Sequence, residues 1–258
     1  AISPQHAWPS VLSQLNSVIY LSLEYLQVLN FQLPLRKAPA SITSISAIGV
    51  DFSPYLSDSS SHFDPDEPYS LDDIFPELKS LHLVLNERTM TVSRLPATLT
   101  SLKLPVGGVI TSGTLDQLWS LTELRAANWQ PVAAAKFARG LRSLSLDEYP
   151  FYHVLRVLPL LKELHNLRLN IPGPLDIDPS LLETILTNLP TTMKTLELGL
   201  LQAPFPTKFL ECLPRSLESL SLRWQATIDA QLFDILPRTL RKLHLGSPLL
   251  ITFPEDEE

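Results

Sequence analysis

The side chains able to titrate, attack a substrate or hold a metal are few in this sequence, and they are scattered. His6, His62, His82, His153, His165 and His244 and the single Cys212 are spread through 258 residues. None has the spacing that such chemistry needs: H-E-x-x-H, a cysteine pair, G-x-S-x-G and the glycine-rich phosphate loop are all missing. Asp176 and Asp178 form a D-x-D. Asp178-Pro179, however, reads as a helix start, with aspartate as the N-cap and proline in the first turn, so the two carboxylates belong to different local structures. Cys212 falls in the helical segment KFLECL and reads as a buried thiol without the neighbouring base that nucleophilic attack requires. The expectation is a chain that binds and does not catalyse, with no metal and no cofactor.

The charged residues are more orderly. His82, Lys103, Arg125 and Arg168 each stand between the two leucines of an L-x-L, inside a phrase that the chain repeats. The phrase is plainest in LPATLTSLKL from Leu95, LPTTMKTLELGL from Leu189, LPRSLESLSL from Leu213 and LPRTLRKLHL from Leu236; APASITSISA from Ala38 is a weaker copy. VIYLSL from Val18, LKSLHL from Leu78, LTELRA from Leu121, LRSLSL from Leu141 and LHNLRL from Leu164 keep the L-x-x-L-x-L core alone. The fourth positions of these cores are Leu21, Ile45, Leu81, Leu102, Leu124, Leu144, Leu167, Leu196, Leu220 and Leu243, stepping by 24, 36, 21, 22, 20, 23, 29, 24 and 23 residues. The steps of 36 and 29 stand apart; the rest keep a regular period within the window, roughly 20 to 29 residues, of strand-containing repeats.

Side chains alternate along a strand, so L-x-L sends both leucines to one face and the middle residue to the other. Upstream of most cores lies an apolar segment at helical spacing: Leu115, Leu118 and Trp119; Val154, Leu155 and Leu158; Leu181, Leu182, Ile185 and Leu186; Phe209, Leu210 and Leu213; Leu232, Phe233 and Leu236. The recurring L-P ends each helix, because proline disfavours helical geometry in the residue before it and has no N–H to give a ladder. One repeat buries about five or six apolar side chains at roughly 1.5 to 3 kcal/mol each, while ordering ~23 residues costs about 1 to 2 kcal/mol apiece. A repeat cannot fold alone, and neighbours must stack. Strands ~4.8 Å apart beside helices that need ~10 Å bend the stack. The expected fold is α/β, a curved solenoid of about ten repeats with a parallel sheet on the concave face and short helices on the convex one. Residues 1–258 read as a single domain.

On these motifs, from about Leu12 to Leu250, the chain resembles the leucine-rich-repeat family. The form L-P-x-[ST]-L-x-x-L-x-L resembles FNIP-type repeats and the repeat arrays of fungal F-box proteins. Where the common consensus has Asn or Cys after the strand, and FNIP repeats have Phe-Asn, this chain has LKLPVGG, LELGLLQ, LSLRWQA and LHLGSPL. The turn after the strand must therefore satisfy its backbone by other means. The resemblance implies a scaffold that recognises a protein partner through the concave face and rim, one form being the substrate-recognition part of an F-box-type ubiquitin ligase adaptor. A structural or self-assembling module is the alternative, because the strand around Leu243 has no evident polar cap and an unpaired edge invites pairing.

The residues between the leucines read Ser22, Ser46, His82, Lys103, Arg125, Ser145, Arg168, Glu197, Ser221 and His244. His82, Lys103 and Arg125 are consecutive rungs with Arg168 two rungs further, an expected basic stripe at ~5 Å per rung. Such a stripe suits an acidic segment or a phosphate, which arginine grips through its planar fork; it can equally be an ordinary solvated face. The column before the first leucine, Tyr20, Ser44, Ser80, Ser101, Glu123, Ser143, Asn166, Thr195, Ser219 and Lys242, is mostly small, as a strand surface allows. Aromatic residues follow the strands: Tyr25, Phe52, Trp129, Tyr149, Phe151, Tyr152 and Trp224. On a loop they would line one rim as partner anchors, or they would close the core beneath each turn. The densest group is DEYPFYH, Asp147 to His153. Residues 53–73, SPYLSDSSSHFDPDEPYSLDD, read as a projecting acidic loop whose Ser57, Ser59, Ser60 and Ser61 can accept phosphate, and residues 251–258 read as an acidic tail.

Net charge and cysteine usage narrow the partner. At −7, with a pI near 5.4, the chain lacks the clustered Lys and Arg of a broad phosphate-binding surface, so a nucleic-acid partner is not expected. One cysteine excludes an intrachain disulfide and points to the cytoplasm or nucleus. No apolar run approaches the roughly 18 to 20 residues that span a bilayer, and Ala1 to Tyr20 lacks the basic segment and apolar stretch of a signal peptide, so no membrane association is expected.

Overall fold

A computed structural model of the chain describes residues 20–24, 41–48, 71, 75–84, 90–92, 95–104, 108–110, 117–126, 128–129, 137–147, 151–170, 179–199, 207–222, 227–229, 232–245 and 250–252. The chain gathers into two compact units, Ala1–Phe137 and Ala138–Glu258.

In the first unit the strands are β1 (Tyr20–Glu24), β2 (Ser44–Ile48), β3 (Ser80–Val84), β4 (Met90–Val92), β5 (Ser101–Lys103), β6 (Gly108–Ile110), β7 (Glu123–Ala126) and β8 (Asn128–Trp129). β1, β2, β3, β5 and β7 lie side by side in that order, all parallel, with Leu21, Ile45, Leu81, Leu102 and Leu124 in one row of the register. Burial alternates along β2, β3 and β5, so the leucine and isoleucine positions form the core and the residues between them stay at the surface. The period-two reading of L-x-L is thus realised residue by residue.

Of the short helices or helical turns expected upstream of most cores, the described residues of the first unit show a helical position at Leu71 and a 3-10 turn that begins at Phe137. β4, β6 and β8 form a second, small parallel sheet, and residues 117–120, within the segment of Leu115, Leu118 and Trp119 read as a short helix or helical turn, are a turn. Leu118 is fully buried and Trp119 is 73% exposed. Trp129, read as a loop residue, belongs to β8.

The second unit carries β9 (Ser143–Asp147), α1 (Phe151–Val157), β10 (Asn166–Asn170), α2 (Pro179–Thr187), β11 (Thr195–Gly199), β12 (Ser219–Leu222), β13 (Thr227–Asp229), α3 (Leu232–Ile235), β14 (Lys242–Leu245) and β15 (Leu250–Thr252). β9, β10, β11, β12 and β14 are parallel neighbours in that order, and Leu144, Leu167, Leu196, Leu220 and Leu243 share a row. Here the helices expected upstream of the cores are present. α2 buries Leu182, Ile185 and Leu186 at helical spacing. It ends where the Asn188 side chain donates to the Thr184 carbonyl at 2.7 Å, two residues short of Pro190. The segment around Cys212 is a 3-10 turn, Thr207–Cys212, and the thiol is half-buried rather than buried. β15 pairs with β13, so Ile251 and Thr252, read as the start of the acidic tail, belong to a strand.

The proline of L-P-x-[ST]-L does more than end a helix. In each such copy the proline carbonyl accepts the N–H three residues on: Leu99 from Pro96, Met193 from Pro190, Leu217 from Pro214 and Leu240 from Pro237, at 2.9 to 3.1 Å. Proline lacks a donor but keeps this acceptor, so it opens the turn without loss. In copies without proline, Phe75, Leu118 and Leu161 hold the same place and are fully buried.

The Ser or Thr of the phrase ties each rung to the one before it. Thr98, Thr192, Ser216 and Thr239 donate their hydroxyls to the carbonyls of Leu78, Leu164, Met193 and Leu217 at 2.7 to 2.8 Å. Beside this ladder, two successive N–H groups converge on one carbonyl of the preceding rung. Lys194 and Thr195 meet on His165, Glu218 and Ser219 on Lys194, and Arg241 and Lys242 on Glu218. The chain thus joins its rungs through hydroxyls placed before the strand.

Candidate partner-binding surface

Strand alternation leaves the middle residue of each L-x-L at the surface, and in the first unit Ser46, His82, Lys103 and Arg125 stand in register on adjacent strands. Arg125 is exposed; His82 and Lys103 are partly covered. Glu123, in the neighbouring column, changes the expected basic stripe. Its carboxylate takes Lys103 Nζ at 2.9 Å on one oxygen and the Ser101 hydroxyl at 2.7 Å on the other. The face is therefore a mixed cluster of Lys103, Glu123 and Arg125 around His82. Diagonal neighbours on parallel strands fall within reach of long side chains, a pairing hidden when each column is read separately.

Electrostatics follow from this arrangement. Burial pushes the Glu123 carboxyl up, but hydrogen bonds from Lys103 and Ser101, with the charges of Lys103 and His82, outweigh it and hold the group below the usual glutamate value. His82 is pulled below 6.5 by burial, then by the charges of Lys103 and Arg125, against a smaller opposing effect of Glu123. The imidazole is thus neutral at neutral pH and adds hydrogen-bonding capacity rather than charge.

A pH dependence follows. The folded chain protonates His82 less readily than the unfolded chain, so this contribution to stability is intact above ~6.5 and is lost as pH falls below that value toward the lowered folded one. Urea unfolding between about pH 7.5 and 5.5 should show a shallower acid-side decline for His82→Gln than for the unaltered chain. Identical slopes would remove the assigned cause. Glu123 acts in a separate window, below its usual value, because its shift is downward.

The second unit presents Ser145, Arg168, Glu197, Ser221 and His244 in register. Arg168 is half-buried and lies 3.6 Å from Glu197, an ion pair within the face. Its Nε and the neighbouring Ser145 hydroxyl are buried without a hydrogen-bond partner among the described residues. Arg168 is thus drawn into the strand surface.

The aromatic rim is realised in part of its backbone only. Phe151 and Tyr152 open α1, where a loop was expected, and Asp147 of the same DEYPFYH group is buried at the end of β9. Tyr25, Phe52, Tyr149 and Trp224 lie outside the described residues, as do 53–70, 72 and 73 of the insertion, while Leu71 near its end is fully buried in a helical turn. Trp119 was missed as a surface residue; the signal was its place beside Leu118 in a slot that elsewhere holds the residue after a turn-opening proline.

Among the described residues no group of three or more His, Cys, Asp or Glu could hold a metal ion, and no helix is long and apolar enough to cross a membrane. No family model and no curated protein matches the chain. Solved structures do. TLR13, in its complex with ssRNA13, matches with a TM-score of 0.61 at 18% identity over 96% of this chain. The leucine-rich-repeat-containing protein LegL7 from Legionella pneumophila matches with a TM-score of 0.50 at 15% identity over 94% of this chain and 88% of its own. The chain spans 35% of the length of the TLR13 chain.

Proposed function

The chain has the leucine-rich-repeat fold, and from that premise we propose that it is a protein-binding scaffold, the substrate-recognition part of an F-box-type ubiquitin ligase adaptor, that holds its partner on the exposed strand columns. The observation that carries this reading is the in-register row His82, Lys103 and Arg125, three functional side chains that the core does not consume. The reading adds Arg168 of the second unit and the aromatics Trp129, Tyr149, Tyr152 and Trp224, which are assigned from the sequence. The partner is a protein and the work is holding it, without catalysis: a net charge of −7 and a face whose cations are interleaved with Glu123 and Glu197 suit a polypeptide better than a phosphate backbone. The adaptor reading rests on the likeness of L-P-x-[ST]-L to FNIP-type and F-box-associated repeats, and it places the protein in the cytoplasm or nucleus.

Affinity capture with the chain as bait tests this. Arg125→Glu with Arg168→Glu reverses one strand-column charge in each unit, and recovery of the specific partner should fall by about tenfold or more. Unchanged recovery overturns the surface. A nuclease-treated parallel should recover the same partner; loss on nuclease treatment would assign a nucleic acid instead.

A further inference from the structure

The large sheet's strands in the second unit all begin at one rim, and two rows of residues run along it. Arg142, His165, Lys194, Glu218 and Arg241 each stand just before a strand, and each N–H from His165 onward donates to the carbonyl of the preceding member at 2.7 to 2.9 Å. The row therefore takes one residue per rung, ~5 Å apart. Three residues upstream, in the turn of each rung, stand Arg139, Lys162, Thr191, Arg215 and Arg238, all exposed.

The two rows hold seven Lys or Arg, every one exposed, and one carboxylate, Glu218; Glu163 is exposed beside them. Among the described residues Lys194 alone of the seven pairs with a carboxylate, that of Glu218. The rim thus reverses the sign of a chain whose net charge is −7.

The repeat itself does not call for this charge. In the first unit Thr43, Lys79, Thr100 and Thr122 fill the same place before the strand, with the same succession of N–H on carbonyl, and Pro76, Ala97 and Trp119 fill the place in the turn. Threonine serves that backbone geometry as well as arginine does. Like charges one rung apart repel, so the second unit's cations oppose folding unless a counter-charge lies over them.

We propose that this rim binds an acidic stretch of a partner polypeptide laid across the rungs. The five rungs span ~20 Å, about six residues of extended chain. Glu163 and Glu218 interrupt the cations. A polypeptide can set uncharged or basic residues opposite them, whereas a nucleic acid carries a phosphate at every step. Neither row of the second unit offers a Phe, Tyr or Trp for a base to stack on. This surface is separate from the strand columns of His82, Lys103, Arg125 and Arg168, and the two assignments stand or fall independently.

The probe is a fluorescein-labelled peptide of about eight residues, aspartate alternating with serine, long enough to cross the rungs. It is titrated into the whole chain at low salt and followed by anisotropy, beside an asparagine–serine counterpart and an oligothymidylate of equal charge. The aspartate peptide should bind saturably and leave as salt rises from about 0.05 to 0.5 M; the asparagine peptide should not bind. Arg142→Glu with Arg215→Glu should weaken binding about tenfold, and Arg142→Lys with Arg215→Lys should hold it within about twofold. Lys79→Glu, at the equivalent place in the first unit, should leave it unchanged. These side chains are exposed, and circular dichroism checks that each variant folds. Equal binding by the charge-reversed chain or by the asparagine peptide, or binding that salt does not weaken, overturns the proposal. Tighter binding of the oligothymidylate overturns it in favour of a nucleic acid, and self-association that the charge reversal abolishes does so in favour of a second copy.

Discussion

Replacing Leu196 with alanine should lower the free energy of unfolding by about 3 to 4 kcal/mol, the range for a fully buried leucine that leaves a cavity its surroundings only partly fill. Leu196 is fully buried in β11, and its register partners Leu167 and Leu220 are buried on either side. A stacked array gives each rung only its neighbours as core, so a defect in the middle weakens two interfaces at once. Leu243→Ala, at the half-covered edge strand, removes less buried surface and should cost about 1 kcal/mol. Urea unfolding followed by circular dichroism measures both. Equal losses at the two sites would contradict a core built rung upon rung.

The hydroxyl ladder should be nearly as costly to break. Thr192→Val and Ser216→Ala together should destabilise by about 3 kcal/mol, since each change removes a part-buried hydroxyl bond to the carbonyl of Leu164 or Met193. Valine keeps the shape of threonine, so the loss at 192 reports the hydrogen bond and not packing. The sites sit on adjacent rungs, and the pair should depart from the sum of the single changes. Thr100→Val offers the comparison: its hydroxyl bonds to the Lys79 carbonyl at an exposed position where water can substitute, and the change should stay within about 0.5 kcal/mol. The same denaturation measurement decides it, and a double variant as stable as Thr100→Val would reduce the ladder to ornament.

The leucine columns were legible in the sequence because alternation in a strand is a strict period of two, and each marker from Leu21 to Leu243 lies on a strand of the expected register. The role of the Ser or Thr was not, although the residue recurs in the written motif. A hydroxyl at a turn reads as a local cap, and its acceptor here lies 20 to 28 residues away. The small sheet of β4, β6 and β8 was harder still: runs of two or three residues such as Met90–Val92, Gly108–Ile110 and Asn128–Trp129 are too short for a period to show. At the surface, the column of His82, Lys103 and Arg125 followed from alternation alone. The clasp of Glu123 on Lys103 did not, because it crosses between columns and between rungs, and only the register brings the two within 2.9 Å.

The central claim, that successive L-x-L segments lie side by side as parallel rungs, is tested most directly by paired cysteines in a Cys212→Ser background. Ser221 and His244 are register partners on β12 and β14, and Glu197 and Ser221 are partners on β11 and β12. Adjacent strands bring such positions about 5 Å apart, within disulfide reach, and positions two rungs apart to about 10 Å, beyond it. Mild oxidation with peptide mapping should link Ser221→Cys with His244→Cys and Glu197→Cys with Ser221→Cys, and leave Glu197→Cys with His244→Cys unlinked. Ready linkage of the last pair, or failure of both adjacent pairs, would contradict the stacked-rung fold.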